Sequence, residues 1–390
     1  TARQAADLIK DGDTVTLSGF VANGIAEALN TAAEERFLET GHPKDLTLFW
    51  VAGTGNKDGS HADHYAHEGM VKKVIGGHFN FVPKICEMLS ENKIEGYNVP
   101  QGAIAQMLRD NAARKVGTIS HVGIGTFADP RNGGGRLSEK TKEDIVKIIE
   151  LEGQEQLFYP RIPLDVAFIR GTYADELGNI TLEKEMAPLD ATSQAMAVHN
   201  NGGLVVVQVE RVVKAGHLDP KLVKIPGIYV DAVVECPADD PKQSQSINCT
   251  YDPAYAGNTQ VPVSSLEPKK LDAKKIIGRR AAMELKKNVV VNLGVGVPEW
   301  VSSVAAEEGV ADEMTLTVEC GPVGGVPGGG LRFGGSVNAQ AYMDEGYQFD
   351  FYDGGGLDLC FLGLAEVDNN GDVNVSRLGT RITGSGGFTN

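Results

Sequence analysis

The stretch VVVNLGVGVPEWVSSVA, residues 289–305, sets the architecture. Its valines read as a short buried strand, the glycines after it as a turn, and Gly296-Val297-Pro298-Glu299 as the opening of a helix. GDTVTLSGFVANGIAEAL, residues 12–29, repeats that order, with a helix opening at Gly24-Ile25-Ala26-Glu27. A helical pattern precedes each copy: Ala2 to Lys10 in the first, and LDAKKIIGRRAAMELKKN (271–288) in the second. In the latter Asp272 is the expected N-cap, with Ile277, Ala281 and Leu285 on one buried face. A second pair of stretches agrees more sharply. LDVAFIRGTYADELGNIT from Leu164 and LDLCFLGLAEVDNNGDVN from Leu357 share Asp165/Asp358, Phe168/Phe361, Asp175/Asp368 and Gly178/Gly371 at identical offsets. Both read as strand, turn, strand. Two matches in the same order favour duplication over coincidence.

The expected fold is therefore α/β, built as two related open α/β domains with mostly parallel sheets, whose ligand crevice lies at the strand ends. The expected domains are residues 1–265 and 271–390. The polar, proline-bearing segment from Asn258 to Asp272 is the expected linker. The motifs lie further apart in the first copy, which implies an insertion there. The loop DPRNGGGR (129–136) and TKEDIVKIIELEG (141–153), expected as a charged helix, are candidates for part of it.

Composition narrows the function. Of 390 residues 42% are hydrophobic and 23% charged, as in a soluble globular protein rather than a disordered one. The longest apolar runs, such as LVVV at 204–207, fall far short of the ~18 residues of a membrane span. The N-terminal TARQAADLIKDGD has no basic-then-apolar signal pattern. A net charge of −16 argues against a nucleic-acid partner but leaves room for an anionic small ligand. The five cysteines include no CxxC pair, so a disulfide scaffold or structural zinc is not expected, and the cytoplasm is the expected compartment. The 48 glycines gather in runs that suit tight turns or close approach to a ligand.

Three places could carry chemistry. Gly294-Val295-Gly296-Val297-Pro298, between a strand and a helix, presents amide N–H groups to an anion. It lacks the GxGxxG spacing and a placed ribose acid, which makes a nicotinamide dehydrogenase a remote alternative. In LTVECGPVGGVPGGGLRFGG (316–335), a strand ends on Glu319 and a glycine-proline loop follows, so a large substrate could reach that carboxylate. His61, His64 and His67 are spaced as a polar helix face rather than a metal site, and no metal ligands are assigned. Cys320 reads as a small packing residue. Lys269, Lys270, Lys274, Lys275, Arg279 and Arg280 read as a solvated face, with a phosphate-binding role as the alternative.

At Glu319 the chain becomes recognisable. ECGPVGGVPGGGLRFGG resembles the glutamate-glycine signature of the family I CoA-transferases. The likeness continues through DGDTVTLSGF, YNVPQGAIAQMLRD, VGIGTFADPRNGGG, RGTYADELGNIT, VVVQVERVVKAG, VNLGVGVPE, DFYDGGGLDLCFLGLAEVD and ITGSGGF. The resemblance implies that Glu319 is the nucleophile and that Gln101 helps hold the oxyanion. It implies that the Gly294–Pro298 turn and Gly384 contact CoA, and that the loop of Gly384, Gly386 and Gly387 lends backbone N–H groups to the oxyanion site. It further implies ping-pong transfer between short-chain acyl-CoA and carboxylates through a glutamyl-CoA thioester, with CoA as substrate and no tightly bound cofactor. A homo-oligomer is expected. Cys320 stands where the family commonly has serine, and family members continue beyond GGF, so the second domain is expected to be incomplete. An acyl-CoA hydrolase on the same fold and a non-catalytic CoA- or nucleotide-binding module are the rival readings.

Overall fold

Val15, Thr16 and Leu17 are all buried, as the β-branched run TVTL requires of a strand covered on both faces. They belong to β1 (Thr14–Leu17), which lies inside a seven-stranded sheet in the computed structural model; the structure describes residues 1–262 and 267–390. The other strands are β2 (Leu46–Trp50), β3 (Val71–Gly76), β4 (Glu95–Asn98), β5 (Val166–Arg170), β6 (Leu204–Val209) and β7 (Ala232–Glu235). Their order is β7-β6-β5-β1-β2-β3-β4, and every pairing is parallel. Parallel neighbours need crossovers, and helices α2 (Glu27–Thr40), α3 (Pro83–Ser90), α4 (Gln101–Ala112) and α5 (Ala191–Asn200) supply four of them. A short α1 (Ala2–Ala6), closed by a Thr1–Gln4 capping box, packs on α2.

The second sheet is smaller. Its strands β8 (Val290–Leu293), β9 (Thr315–Thr317), β10 (Pro322–Val323), β11 (Ala341–Tyr342) and β12 (Leu359–Phe361) run in the order β11-β10-β9-β8-β12. β8 pairs in parallel with β9 and β12, while β10 and β11 are antiparallel additions. Helices α6 (Ala273–Ala282), α7 (Glu299–Glu307) and α8 (Glu345–Asp353) complete this half.

The duplication is visible bond by bond. Asp165 accepts from the Thr14 N–H and Asp358 from the Val290 N–H, each at 2.8 Å. The Ser18 N–H donates to Phe168, and the Gly294 N–H to Phe361, at the ends of β1 and β8. Asp175 accepts from the Leu177 and Asn179 amides, and Asp368 from the Asn370 and Asp372 amides, so one Asx turn closes both copies. Gly178 and Gly371 take the left-handed conformation at φ 81° and 93° that those turns need.

Three expectations change. Residues 141–153 form no helix: Lys147–Leu151 is a strand paired antiparallel with Gln154–Pro160. Glu152 and Gly153 both have positive φ, the signature of a hairpin turn, and the β-branched Ile148 and Ile149 favour the strand over the helix. On α6, Asp272 does cap the helix by accepting from the Lys275 N–H at 2.9 Å, but Ile277 is exposed. The covered face instead runs through Gly278, against Trp300 of α7, and through Lys275, which ion-pairs with Glu307. The histidine segment is a 3-10 turn, His61–Tyr65, rather than a polar face. His61 is fully buried against Trp50, which pushes its pKa down to about 3, while His64 bridges Glu27 and Glu34. The expected linker, 258–272, includes 263–266, which lie outside the described residues. Among the described residues no helix is long and apolar enough to cross a membrane.

Candidate active site

Glu319 lies just past the C-terminal end of β9, where an open α/β sheet places its ligands. The Gly321 N–H donates to the Val318 carbonyl at 3.0 Å, closing a four-residue turn with Glu319 at its second position. Gly321 has φ 137°, and a Cβ there would run into the Met343 carbonyl oxygen, so the turn requires glycine. The chain then returns along β10. Val318 and Cys320, on either side, are buried with Phe20, Val21 and Phe333, and the Cys320 thiol donates to the Gly334 carbonyl at 3.2 Å. Cys320 is the packing residue expected of it. Burial pushes its pKa well up, which opposes formation of the reactive thiolate.

Glu319 itself is half-buried, beside a cavity of about 390 Å³ whose walls come from both halves of the chain. Burial raises its carboxyl above the ordinary range. Its own backbone N–H and Asn292 Nδ2, 3.4 Å from Oε2, act in the opposite sense. Beneath Glu319, Tyr352 ties the elements together: its hydroxyl donates to Thr317 Oγ1 at 2.7 Å and accepts from Gln348 Nε2 at 2.9 Å. Sequence reasoning passed over Asn292 and Tyr352, because an asparagine inside VVVNL and a tyrosine inside DFYDGGG carry no motif.

Gln101 opens α4, is 2% exposed, and lines the same cavity. Its Nε2 donates to Glu345 Oε1 at 2.6 Å, so one of the two amide hydrogens expected to face the oxyanion is engaged elsewhere. Gly384, Gly386 and Gly387 also reach the cavity. Their segment is pinned across the ends of β3 and β4: the Ser385 N–H donates to Asn98 Oδ1 at 3.1 Å and the Gly386 N–H to the Gly77 carbonyl at 2.8 Å. Gly386 is thus corrected as an oxyanion donor, its hydrogen being held by Gly77. Among the described residues no hydrogen bond engages the Gly387 N–H, and a Cβ on Gly387 would lie 3.9 Å from Glu319 Cγ.

The Gly294–Pro298 turn divides. Gly294 and Val295 line the cavity, while Gly296, Val297 and Pro298 stand outside its lining. The Gly296 N–H donates to Glu299 Oε1 at 2.7 Å, and Glu299 Oε2 accepts from the Gly330 N–H at 3.1 Å. The helix therefore closes its own turn with a carboxylate, and Gly296 is not free for an anion. Of the basic cluster, Lys275 is buried in its pair with Glu307 at 2.5 Å, and Lys269 and Lys274 stand over the Trp300 ring. Among the described residues no group of three or more His, Cys, Asp or Glu side chains is arranged to hold a metal.

A glutamate beside a cleft at a strand end, with glycine backbone packed against it, suits covalent acyl chemistry. Comparison with known proteins decides the family. Residues 1–236 match the model described as Coenzyme A transferase. The chain belongs to the coenzyme A transferase family. This CoA-transferase is 43% identical to the acetate CoA-transferase YdiF of Escherichia coli K12 over 391 residues, covering 100% of this chain and 73% of that protein. It is also 43% identical to the caffeate CoA-transferase of Acetobacterium woodii over 395 residues, covering 100% of this chain and 75% of the relative. The crystal structure of the YdiF apoenzyme from Escherichia coli O157:H7 matches the transferase with a TM-score of 0.92 at 41% identity, over 100% of this chain and 73% of that one. A thioester complex of YdiF with CoA matches equally well.

Proposed function

We propose that the enzyme moves CoA between short-chain acyl-CoA thioesters and short-chain carboxylates, such as acetate, propionate, butyrate or lactate, with Glu319 as the covalent carrier. The observation that carries this reading is the Glu319 carboxyl at the end of β9, with glycine backbone alongside and a cavity large enough for a pantetheine arm. An ionised Glu319 oxygen attacks the thioester carbonyl, forming a mixed anhydride and expelling CoA thiolate. The thiolate attacks the glutamyl carbonyl, releasing the first carboxylate and leaving a glutamyl-CoA thioester. A second carboxylate attacks that carbonyl and again expels thiolate. The thiolate then takes the new acyl group and frees Glu319. One thioester replaces another, no net proton is consumed, and no ATP is needed.

Each addition creates an oxyanion. The Gly387 N–H and the second amide hydrogen of Gln101 are the donors suited to it, with Asn292 beside the glutamate. Losing one such donor typically costs ~2.7–4 kcal/mol of barrier stabilisation. A raised carboxyl pKa makes the ionised oxygen a stronger nucleophile. Contacts to the remote CoA body can position the reacting carbonyl. The apolar walls of Phe20, Phe333 and Phe349 suit exclusion of the water that would hydrolyse the anhydride. Five cysteines without a disulfide agree with a cytoplasmic enzyme, and a homo-oligomer goes with the same reading.

Incubation with acetyl-CoA and no acceptor should leave a CoA adduct on the peptide that holds Glu319, visible by mass. Glu319→Gln should form none and transfer nothing. An adduct on Cys320, or thiol release without transfer to added propionate, would replace this reading with another.

A further inference from the structure

Beside the cavity, two carboxyls touch in a place water does not reach. Asp190 and Glu345 are 5% and 1% exposed, and their side chains are hydrogen-bonded to each other. Two carboxylates in dry contact cannot both be ionised, so the pair holds a proton. Their own helices do not account for them. Asp190 precedes α5, yet its carboxyl caps no amide of that helix. Leu189 is held at φ 53°, a conformation leucine rarely takes, and from there its carbonyl accepts the Glu345 N–H at 3.1 Å. Backbone strain of this kind persists only where the surroundings impose it. The result is a two-point clamp, with the Leu189 carbonyl on the Glu345 backbone and the Asp190 carboxyl on its side chain. The far side of Glu345 meets the active site, since its Oε1 accepts from Gln101 Nε2 at 2.6 Å.

We propose that Asp190 and Glu345 form a single-proton positioning pair that holds one amide hydrogen of Gln101 on Glu345 and thereby aims the other at the acyl oxygen that turns negative during transfer. The inference rests on the reading of Glu319 and Gln101 as the reacting centre. With the proton on Glu345, its hydroxyl donates to Asp190, and the other Glu345 oxygen, Oε1, is an acceptor that accommodates only the nitrogen side of the Gln101 amide. Were Glu345 the donor to Gln101, the amide would turn over and its carbonyl would be drawn to Glu345. The pair thus couples a proton to the direction of a catalytic amide.

The surroundings keep that proton in place. Arg109 and Asp344 face Asp190, and Glu319 faces Glu345. Asp350 holds Arg109 in a two-pronged ion pair, Lys224 faces Asp344, and the neighbouring Cys320 thiol is neutral. Burial pushes Asp190 up to about 7 and Glu345 well above its ordinary value.

The full enzyme tests this through three readouts. Asp190→Ala should lower kcat for transfer by about tenfold to a hundredfold, the scale of a misplaced catalytic group, with KM for acyl-CoA changed by less than about threefold. Asp190→Asn, whose side-chain carbonyl keeps an acceptor for the Glu345 hydroxyl, should recover most of that loss. Wild-type kcat should hold as pH rises through 7, because the pair keeps one proton on Glu345, and in the Asn variant the alkaline limb should move to lower pH, because no charge at position 190 holds that proton. Infrared spectra above neutral pH should show a protonated carboxyl band in wild type that Glu345→Gln removes, a readout independent of whether the Ala variant folds. An Asn variant that keeps the wild-type alkaline limb, or a wild type without the band, overturns the proposal. Absence of a Glu319 adduct in wild type overturns the transfer reading and this inference together. An adduct in wild type with Asp190→Ala turning over at the wild-type rate overturns the pair alone.

Discussion

Glu319 reaches the cavity because the chain reverses immediately after it, and that reversal depends on Gly321. At φ 137°, with the Met343 carbonyl where a Cβ would go, alanine would have to move the turn. Gly321→Ala is expected to cost about 2–4 kcal/mol of stability, combining left-handed strain with a steric clash. It should also lower kcat, since the carboxyl rides on the same turn. Urea unfolding and steady-state assays read both. Asn292 acts on protonation instead of position. Its side chain donates to Glu319 and favours the charged form of a carboxyl that burial has raised. Asn292→Ala should therefore raise that carboxyl further and shift the acid limb of kcat/KM to higher pH by roughly half a unit, as suits a long bond. A limb that stays in place or moves to lower pH would refute the assignment. The same linkage has a sign for stability. A carboxyl with a raised folded pKa loses stability as pH climbs from the ordinary carboxylate range to the folded value, so the Asp190–Glu345 pair weakens the fold between those limits.

At the scale of elements, the strand-turn-helix units were readable because their signals are local. Both helices that follow the glycine turns begin at the last residue of the four expected to open them, Glu27 and Glu299. The paired aspartates Asp165 and Asp358 announced equivalent strands before any contact was known. The helix expected over 141–153 failed for an equally local reason, an Ile-rich run beside a Glu-Gly turn that a charge-based reading underweighted. α6 failed for a non-local one. Its covered face is chosen by Trp300 and Glu307 on α7, so glycine and lysine are buried where periodicity favours Ile277. Gly278→Ala is expected to destabilise by about 1–3 kcal/mol, because the new Cβ would sit 2.6 Å from Trp300 Cβ. Helix propensity alone predicts a gain of about 1 kcal/mol, so the sign of the measured change decides which effect governs.

For the whole molecule, the site exists because two halves meet. Phe20, from the loop after β1, stacks on Phe333, from the glycine-rich loop, at 5.9 Å, and Asn23 Nδ2 donates to the Phe333 carbonyl at 2.6 Å. Both rings line the cavity. Phe333→Ala should shift kcat/KM from acetate toward longer acids, with each added methylene worth about 0.8 kcal/mol, or roughly fourfold, if it is buried. A competition assay between acetate and butyrate measures the shift. An unchanged preference would place the acyl pocket elsewhere.

The order of residues was enough to read an acidic α/β chain, its internal repetition and the glutamate to watch, since strand period, turn glycines and a nucleophile at a strand end are written within short windows. It could not show which hydrogens are free. Gly386 and Gly296 lose theirs to Gly77 and Glu299, Gln101 is turned by Glu345, and Asn292 and Tyr352 enter the site from separate elements. The Gly386–Gly77 and Gln101–Glu345 bonds bring atoms hundreds of residues apart within 3 Å, and hydrogen bonding over that range is settled by packing, not by neighbours along the chain.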